Sequence, residues 1–119
     1  MVEALHNLMQ EGEIKREDFI FQTKILPGRA GPAFLKLFNA MWSNVGEKLG
    51  YFDLLGVHAI ADINEAFEES LIICADDLKR EGKMRQIWCS THGGTSEQIM
   101  NLINTEKVCG VYTILSLNV

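Results

Sequence analysis

Three side chains that can take part in acid–base or nucleophilic chemistry stand at the ends of short apolar runs. They are Lys24, His58 and Ser90. A lysine at the end of an apolar strand is expected to be partly desolvated, which prepares its amine to polarise a neighbouring acid or to attack a carbonyl group. A histidine beside it can orient a carbonyl group or transfer a proton. The structural alternative is that Lys24 extends into water and that His58 is a hydrogen-bonded core histidine.

Alternating helices and strands are predicted around these three residues. Periodicity predicts helices over 2–11, 33–49, 64–81 and 96–104, and strands over 19–26, 51–58, 84–90 and 111–117. The clearest helix is 33–49, whose apolar residues recur at helical spacing and which is followed by Gly50. Thr95 and Gln98 predict a capping box at the start of the last helix.

The order αβαβαβαβ predicts an α/β fold with a parallel sheet. No hairpin signal joins two strands, and crossovers through helices require parallel strands with right-handed connections. Lys24, His58 and Ser90 are 34 and 32 residues apart, a near-regular period of (β/α) units. This period favours a partial TIM barrel with about four of the eight strands, although it does not exclude a doubly wound sheet. Residues 1–119 are predicted to form one domain, with the three side chains at the C-terminal edge of its sheet.

Composition excludes several classes of function. The chain has 11 basic and 16 acidic side chains, and no basic cluster is longer than Lys79–Arg80, which argues against nucleic-acid binding. It has no apolar run of membrane-spanning length and no secretory signal pattern, so no membrane association and a cytoplasmic location are predicted. Three widely spaced cysteines fit neither a disulfide framework nor a zinc site, so we expect small buried cysteines and no metal centre.

Three stretches of the sequence resemble motifs of the aldo-keto reductase family. Residues 16–24, REDFIFQTK, are similar to the family's RED-apolar-x-TK third strand. Residues 49–58, LGYFDLLGVH, resemble its LG-aromatic-x-DLL-x-x-H fourth strand, and residues 78–90, LKREGKMRQIWCS, its L-x-x-EGK-x-R-x-I-G-x-S helix and fifth strand. THGGT at 91–95 and LINT at 102–105 look like the branch that often adds an iron–sulfur domain, whose cysteine motif does not occur here. The resemblance runs from before the third strand of the family's barrel through the sixth.

This resemblance implies a (β/α)8 barrel and hydride transfer from NADPH to a small aldehyde or ketone. It assigns to Lys24 the role of the family's lysine, which lowers the pKa of a tyrosine acid. It assigns to His58 the orientation of the substrate carbonyl and to Ser90 a contact with the nicotinamide carboxamide. The asparagine that commonly follows this serine is Thr91 here.

The family's aspartate and tyrosine lie before the region that this chain matches. Tyr51 precedes His58 by seven residues, which is about 23 Å along a strand. Tyr112 is also predicted to begin its strand, so neither phenol is expected to reach the site. Asp62 or Glu65 could fold back toward Lys24 as its carboxylate partner.

The family's phosphate pockets come mostly from the seventh and eighth strands and the helix after them, which have no counterpart in this sequence. Gly93–Ser96 is either a phosphate cradle at a helix N-terminus or an ordinary cap. His92 either lines a substrate pocket or lies on the surface. Trp42 and Trp88 are predicted to pack in the core.

Three functional hypotheses follow. The first is an NAD(P)H-dependent carbonyl reductase in truncated or split form, completed by another barrel half or by a second copy. The second is a catalytically inactive remnant or interaction module that associates through open sheet edges. The third is a Schiff-base lyase that uses Lys24, which borohydride trapping with a carbonyl substrate would distinguish.

Overall fold

The computed structural model describes residues 1–25, 32–60 and 69–113. Its elements are α1 (Val2–Gln10), a 3₁₀ turn (Arg16–Asp18), β1 (Gln22–Ile25), α2 (Pro32–Met41), β2 (Phe52–Ile60), α3 (Glu69–Arg80), β3 (Met84–Thr91), α4 (Ser96–Asn104) and β4 (Gly110–Thr113). Helix α2 continues through a π-helical turn, Trp42–Gly46, and a last α-helical turn, Glu47–Leu49. None of the helices in these parts of the chain is long and apolar enough to cross a membrane.

The four strands form one parallel sheet in the order β1-β2-β3-β4. Each strand pairs with the strand that follows it in sequence, which confirms the predicted α/β architecture. One row across the sheet places Lys24 opposite Gly56, Gly56 opposite Trp88, and Trp88 opposite Gly110. This row sets the geometry of the site described below.

The apolar core lies between the sheet and the helices. The helices contribute Phe34, Phe38, Ala75, Leu78 and Leu102, and the strands contribute Ile25, Phe52, Leu55, Val57, Ile87 and Cys89. Phe52 is contacted edge-on by Phe38 and Trp42, with ring centroids 5.9 and 5.7 Å apart. Such edge-to-face contacts are favourable beyond the area that they bury, so the long second helix is fixed on the sheet at this point.

The cysteines only partly follow the prediction. Cys89 is fully buried toward the helices, as expected. Burial raises the pKa of its thiol to about 11, and the neighbouring Cys109 adds to the shift. Cys74 is half-buried, and Cys109 is exposed, because it lies in the loop before β4 rather than inside a strand. The prediction of three buried cysteines was therefore wrong for Cys109.

The first strand is shorter than predicted. It begins at Gln22 rather than at residue 19, because the preceding segment turns through the 3₁₀ turn and leaves Ile20 76% exposed. The predicted strand end at Leu26 lies outside the described residues, as do the start of the predicted helix at 64–68 and the predicted strand end at 114–117.

A buried ion pair joins the beginnings of β1 and β2. Arg16 Nη2 donates to Asp53 Oδ2 at 2.6 Å and to the Tyr51 carbonyl oxygen at 2.8 Å. The same carboxylate oxygen accepts the Phe21 N–H at 2.8 Å. The guanidinium also lies 3.8 Å from the ring centroid of Tyr51. These contacts fix where the chain enters β1 relative to β2.

The carboxyl group of Asp53 has a lowered pKa. Burial alone would raise it, but the hydrogen bonds from Phe21 and Arg16 and the charges of Arg16 and Arg85 outweigh that effect. Since the folded state favours the ionised form, the resulting stabilisation is fully present above the ordinary Asp pKa of 3.8 and is lost as the pH falls through the lowered value.

We expect Asp53→Asn to lower the free energy of unfolding by about 3 kcal/mol at neutral pH, because it leaves the Arg16 charge buried without its partner. Urea denaturation measured between pH 7 and pH 3 checks this. The difference between the variant and the parent should shrink below the ordinary pKa of aspartate. Glu3→Gln, which removes the exposed ion pair with Lys48, is the control and should change little. A pH-independent difference for Asp53→Asn would contradict the account.

Candidate active site

An open cleft of about 290 Å³ lies at the C-terminal ends of the strands. The described residues that line it are Lys24, His58, Trp88, Ser90, Thr91, His92, Tyr112 and Thr113. The three residues that the sequence singles out are therefore brought together. Parallel packing explains this, because all C-terminal strand ends meet at one edge of the sheet.

His58 and Ser90 contact each other directly. Ser90 Oγ lies 3.2 Å from His58 Nδ1, and both residues are half-buried. The β2–β3 register shifts between Val57 and Ile60, immediately around His58. Irregularities of this kind re-aim side chains near sites. His58 is thus hydrogen-bonded, as the structural alternative expected, but it is half-buried and lines the cleft rather than being enclosed in the core.

Lys24 lines the cleft but is exposed. The expectation of a desolvated lysine was therefore wrong. Strand β1 pairs with β2 on one side, and no other described strand pairs with its other side. The pairing of Lys24 with Gly56, rather than burial, places this residue at the cleft.

Trp88 is buried, as predicted, and it lines the cleft. The residue is 6% exposed. Its indole covers Gly56, where an added Cβ would overlap the ring atoms Cε2 and Cζ2. Its ring centroid is 4.6 Å from that of Tyr112. The indole Nε1 has no hydrogen-bond partner in the described parts of the chain. One signal was present in the sequence, since Trp88 stands where the I-G-x-S motif has glycine.

Tyr112 reaches the cleft, contrary to prediction. Strand β4 starts at Gly110, opposite Trp88, and Tyr112 pairs with Ser90. The phenol therefore stands near the C-terminal end of the sheet rather than at the opposite rim. Tyr51 lies at the end of β2 that is opposite to the cleft, as predicted. Its ring contacts the guanidinium of Arg16 there.

The loop after β3 is a cap rather than a phosphate cradle. The N–H groups of Gly93 and Gly94 both donate to Thr91 Oγ1, at 3.3 and 3.2 Å. Thr95 and Gln98 exchange the two hydrogen bonds of the predicted capping box, at 2.9 and 3.2 Å. The N–H groups of Gly93, Gly94 and Thr95 are thus engaged within the loop and its cap rather than offered to a phosphate.

Two further features concern a carboxylate partner for Lys24 and a metal site. Asp62 and Glu65, the suggested carboxylate partners of Lys24, lie outside the described residues. Within residues 1–25, 32–60 and 69–113, no three His, Cys, Asp or Glu side chains form a group that could hold a metal ion.

Two solved structures are similar to this chain. An aldo/keto reductase from Brucella melitensis matches 94% of this chain with a TM-score of 0.62 and 23% identity. An aldo-keto reductase enzyme from a Medee basin deep-sea metagenome library matches 96% with a TM-score of 0.64 and 23% identity. The chain has a partial aldo-keto reductase-like fold. It covers 42% and 41% of those two chains, about two fifths of their length.

No family model and no curated protein matches the sequence significantly. The solved structures confirm the partial-barrel interpretation, since the four parallel strands and interleaved helices correspond to part of the aldo-keto reductase TIM barrel.

Among the described residues, there is a hydrogen-bond partner for the nicotinamide end of NADP(H) but no site for its phosphates. Ser90 Oγ lies in the cleft and has lone pairs that can accept from a carboxamide N–H. The loop that follows offers its N–H groups to Thr91 and Gln98 rather than to phosphates. The part of the chain described here therefore does not provide a complete cofactor site.

We expect Gly56→Ala to displace the Trp88 indole and to lower the free energy of unfolding by about 1–3 kcal/mol, as overpacking does in closely packed sites. Gly110→Ala is a matched control in the same row of the sheet, since nothing lies within 4 Å of its added Cβ. Urea denaturation of both variants, with the tryptophan emission spectrum as a second readout, tests this. Equal effects at the two glycines would show that the indole does not lie over Gly56.

Proposed function

We propose that this chain forms the central part of an NAD(P)H-dependent aldo-keto reductase, an oxidoreductase that reduces a small aldehyde or ketone. One observation carries the proposal. Lys24, His58 and Ser90, to which the motif resemblance assigns roles in this reaction, line one cleft at the C-terminal edge of a sheet with the aldo-keto reductase-like fold.

His58 is the residue that orients the carbonyl group. When the Ser90 hydroxyl donates to Nδ1, the neutral imidazole carries its proton on Nε2. That N–H can then donate to the carbonyl oxygen of the substrate, which polarises the C=O bond. Ser90 thus fixes the tautomer that the role requires.

Ser90 has a second role, at the cofactor. A serine hydroxyl can donate through its proton and accept through its oxygen, so we assign to Ser90 a contact with the carboxamide N–H of the nicotinamide. When bound, NADPH supplies the hydride for the reduction. Its phosphates would be held by parts of a barrel beyond the residues described here.

The proton donor is the missing component. Tyr51 lies at the opposite end of β2, and Asp53 is engaged by Arg16. Tyr112 is three strands from Lys24, about 14 Å at the usual strand spacing. Among the described residues, no phenol is therefore placed beside Lys24, whose ammonium would lower its pKa. We infer that these 119 residues alone do not turn over.

We expect negligible oxidation of NADPH by the purified chain with aldehydes, and no measurable change in Lys24→Ala. The reason is that the described residues place no phenol beside Lys24 and offer no phosphate site at the cleft. NADPH absorbance with a panel of small aldehydes measures the rate, and Lys36→Ala on α2 serves as a matched lysine control. Turnover that Lys24→Ala abolishes and Lys36→Ala retains would refute the inferred inactivity.

A second function is association through the sheet. Strands β1 and β4 each pair on one side only among the described residues, and Tyr112 is 57% exposed on the cleft side. Parallel sheets are usually covered on both faces. We propose as the alternative that the chain is an interaction module that docks these edges against a complementing barrel half or a second copy.

Light scattering of the purified chain distinguishes the two forms of this alternative. Association of two copies through β1 and β4 gives a stable dimer, which Tyr112→Lys should weaken because it places a charge on the exposed face. A monomer at every concentration excludes the second copy, and it leaves a separate barrel half as the only partner to be tested by co-expression.

A further inference from the structure

Tyr112 is an exposed aromatic side chain that lines the cleft. The residue is 57% exposed. Its ring rests against the buried Trp88, with the ring centroids 4.6 Å apart and an angle of 62° between the two planes. A tyrosine that is already held in place loses little conformational freedom when a ligand contacts it. Tyr112 therefore offers a pre-positioned aromatic surface to a molecule that enters the cleft.

The hydrogen-bonding groups of the cleft stand on the strands beside this ring. Tyr112 on β4 pairs with Ser90 on β3. Ser90 Oγ in turn lies 3.2 Å from Nδ1 of His58 on β2. The phenol and the imidazole thus stand on strands about 10 Å apart, with the serine hydroxyl between them. A ligand that contacts both needs a flat apolar part at one end and a hydrogen-bond acceptor at the other.

The size and the lining of the cleft favour a single aromatic ring as the apolar part. The volume of about 290 Å³ is at the lower end of the range for small-molecule pockets. None of the described lining residues carries a carboxylate that would repel the negative face of a ring. Two aromatic rings in contact gain free energy beyond the apolar area that they bury, so an aryl group suits the exposed Tyr112 ring better than an aliphatic group does.

We propose that the substrate of this site carries an aromatic ring next to its carbonyl group, as an aryl aldehyde or an aryl ketone does, and that Tyr112 selects for that ring. The aryl group packs on the Tyr112 ring, and the carbonyl oxygen accepts from His58 Nε2. The orientation toward His58 rests on the proposed function, whereas the contact with Tyr112 does not.

The ring proton resonances of Tyr112 report on this contact directly, because the ring current of a bound aromatic group shifts them. The chain has two tyrosines, and Tyr112→Phe identifies the Tyr112 signals by their loss. Titration of the purified chain with acetophenone, without NADPH, should shift the Tyr112 signals to saturation and leave those of Tyr51 unchanged. Cyclohexyl methyl ketone is the matched control, since it has the same carbonyl group on a ring that is not aromatic, and it should cause no ring-current shift.

Tyr112→Leu tests the aromatic ring while keeping an apolar side chain at this exposed position. It should weaken acetophenone binding, followed through the resonances of the ligand, by about two- to tenfold, because the contact between aromatic rings is lost. Tyr112→Phe keeps the ring and should bind as the parent does. No saturable shift with acetophenone, or unchanged affinity in Tyr112→Leu, would overturn the proposal. An equal shift with free nicotinamide would also overturn it, since the ring contact would then belong to the cofactor.

Toluene separates this proposal from the proposed function, because it has the aromatic ring but no carbonyl group. If toluene binds as tightly as acetophenone and Tyr112→Leu weakens both, the aromatic contact is confirmed and the orientation of a carbonyl group by His58 is refuted. Tighter binding of acetophenone than of toluene supports both.

Discussion

The buried contact between Arg16 and Asp53 determines how the first strand meets the second. Asp53 accepts hydrogen bonds from Arg16 and from the Phe21 backbone, so the chain enters β1 at a fixed point along β2. A slip of one residue would turn every side chain of β1 to the other face of the sheet. The position of Lys24 opposite Gly56, and hence the composition of the cleft, depends on this contact at the far end of the strand.

The shape of the cleft depends on a large side chain on β3 that fills the space left by a glycine on β2. Trp88 occupies a position that is glycine in the motif the chain resembles, and the facing position, Gly56, has no side chain. The indole can cover β2 at this point only because position 56 is glycine. The result is a buried aromatic side chain that lines the cleft together with His58 and Ser90. The residues that resemble family catalytic groups are thus set in a pocket whose lining is particular to this chain.

Local sequence patterns predict most of the architecture. Helix α2 and strands β2 and β3 lie where apolar periodicity places them, because burial of one face imposes that period. The convergence of Lys24, His58 and Ser90 is equally predictable, since parallel strands end at one edge. The start of β1 cannot be predicted from local patterns, because it depends on the contact between Arg16 and Asp53, which are 37 positions apart. Tyr112 was also misplaced, because its height in the sheet depends on where β4 begins to pair with β3.

Nuclear Overhauser effects between the backbone protons of β1 and β2 test the central claim most directly, because they report the register on which the cleft depends. The account predicts contacts that align Lys24 with Gly56 and Thr23 with Leu55. Contacts that align Lys24 with Leu54 or with His58 would contradict it, since Lys24 would then no longer pair with Gly56, which the Trp88 indole covers.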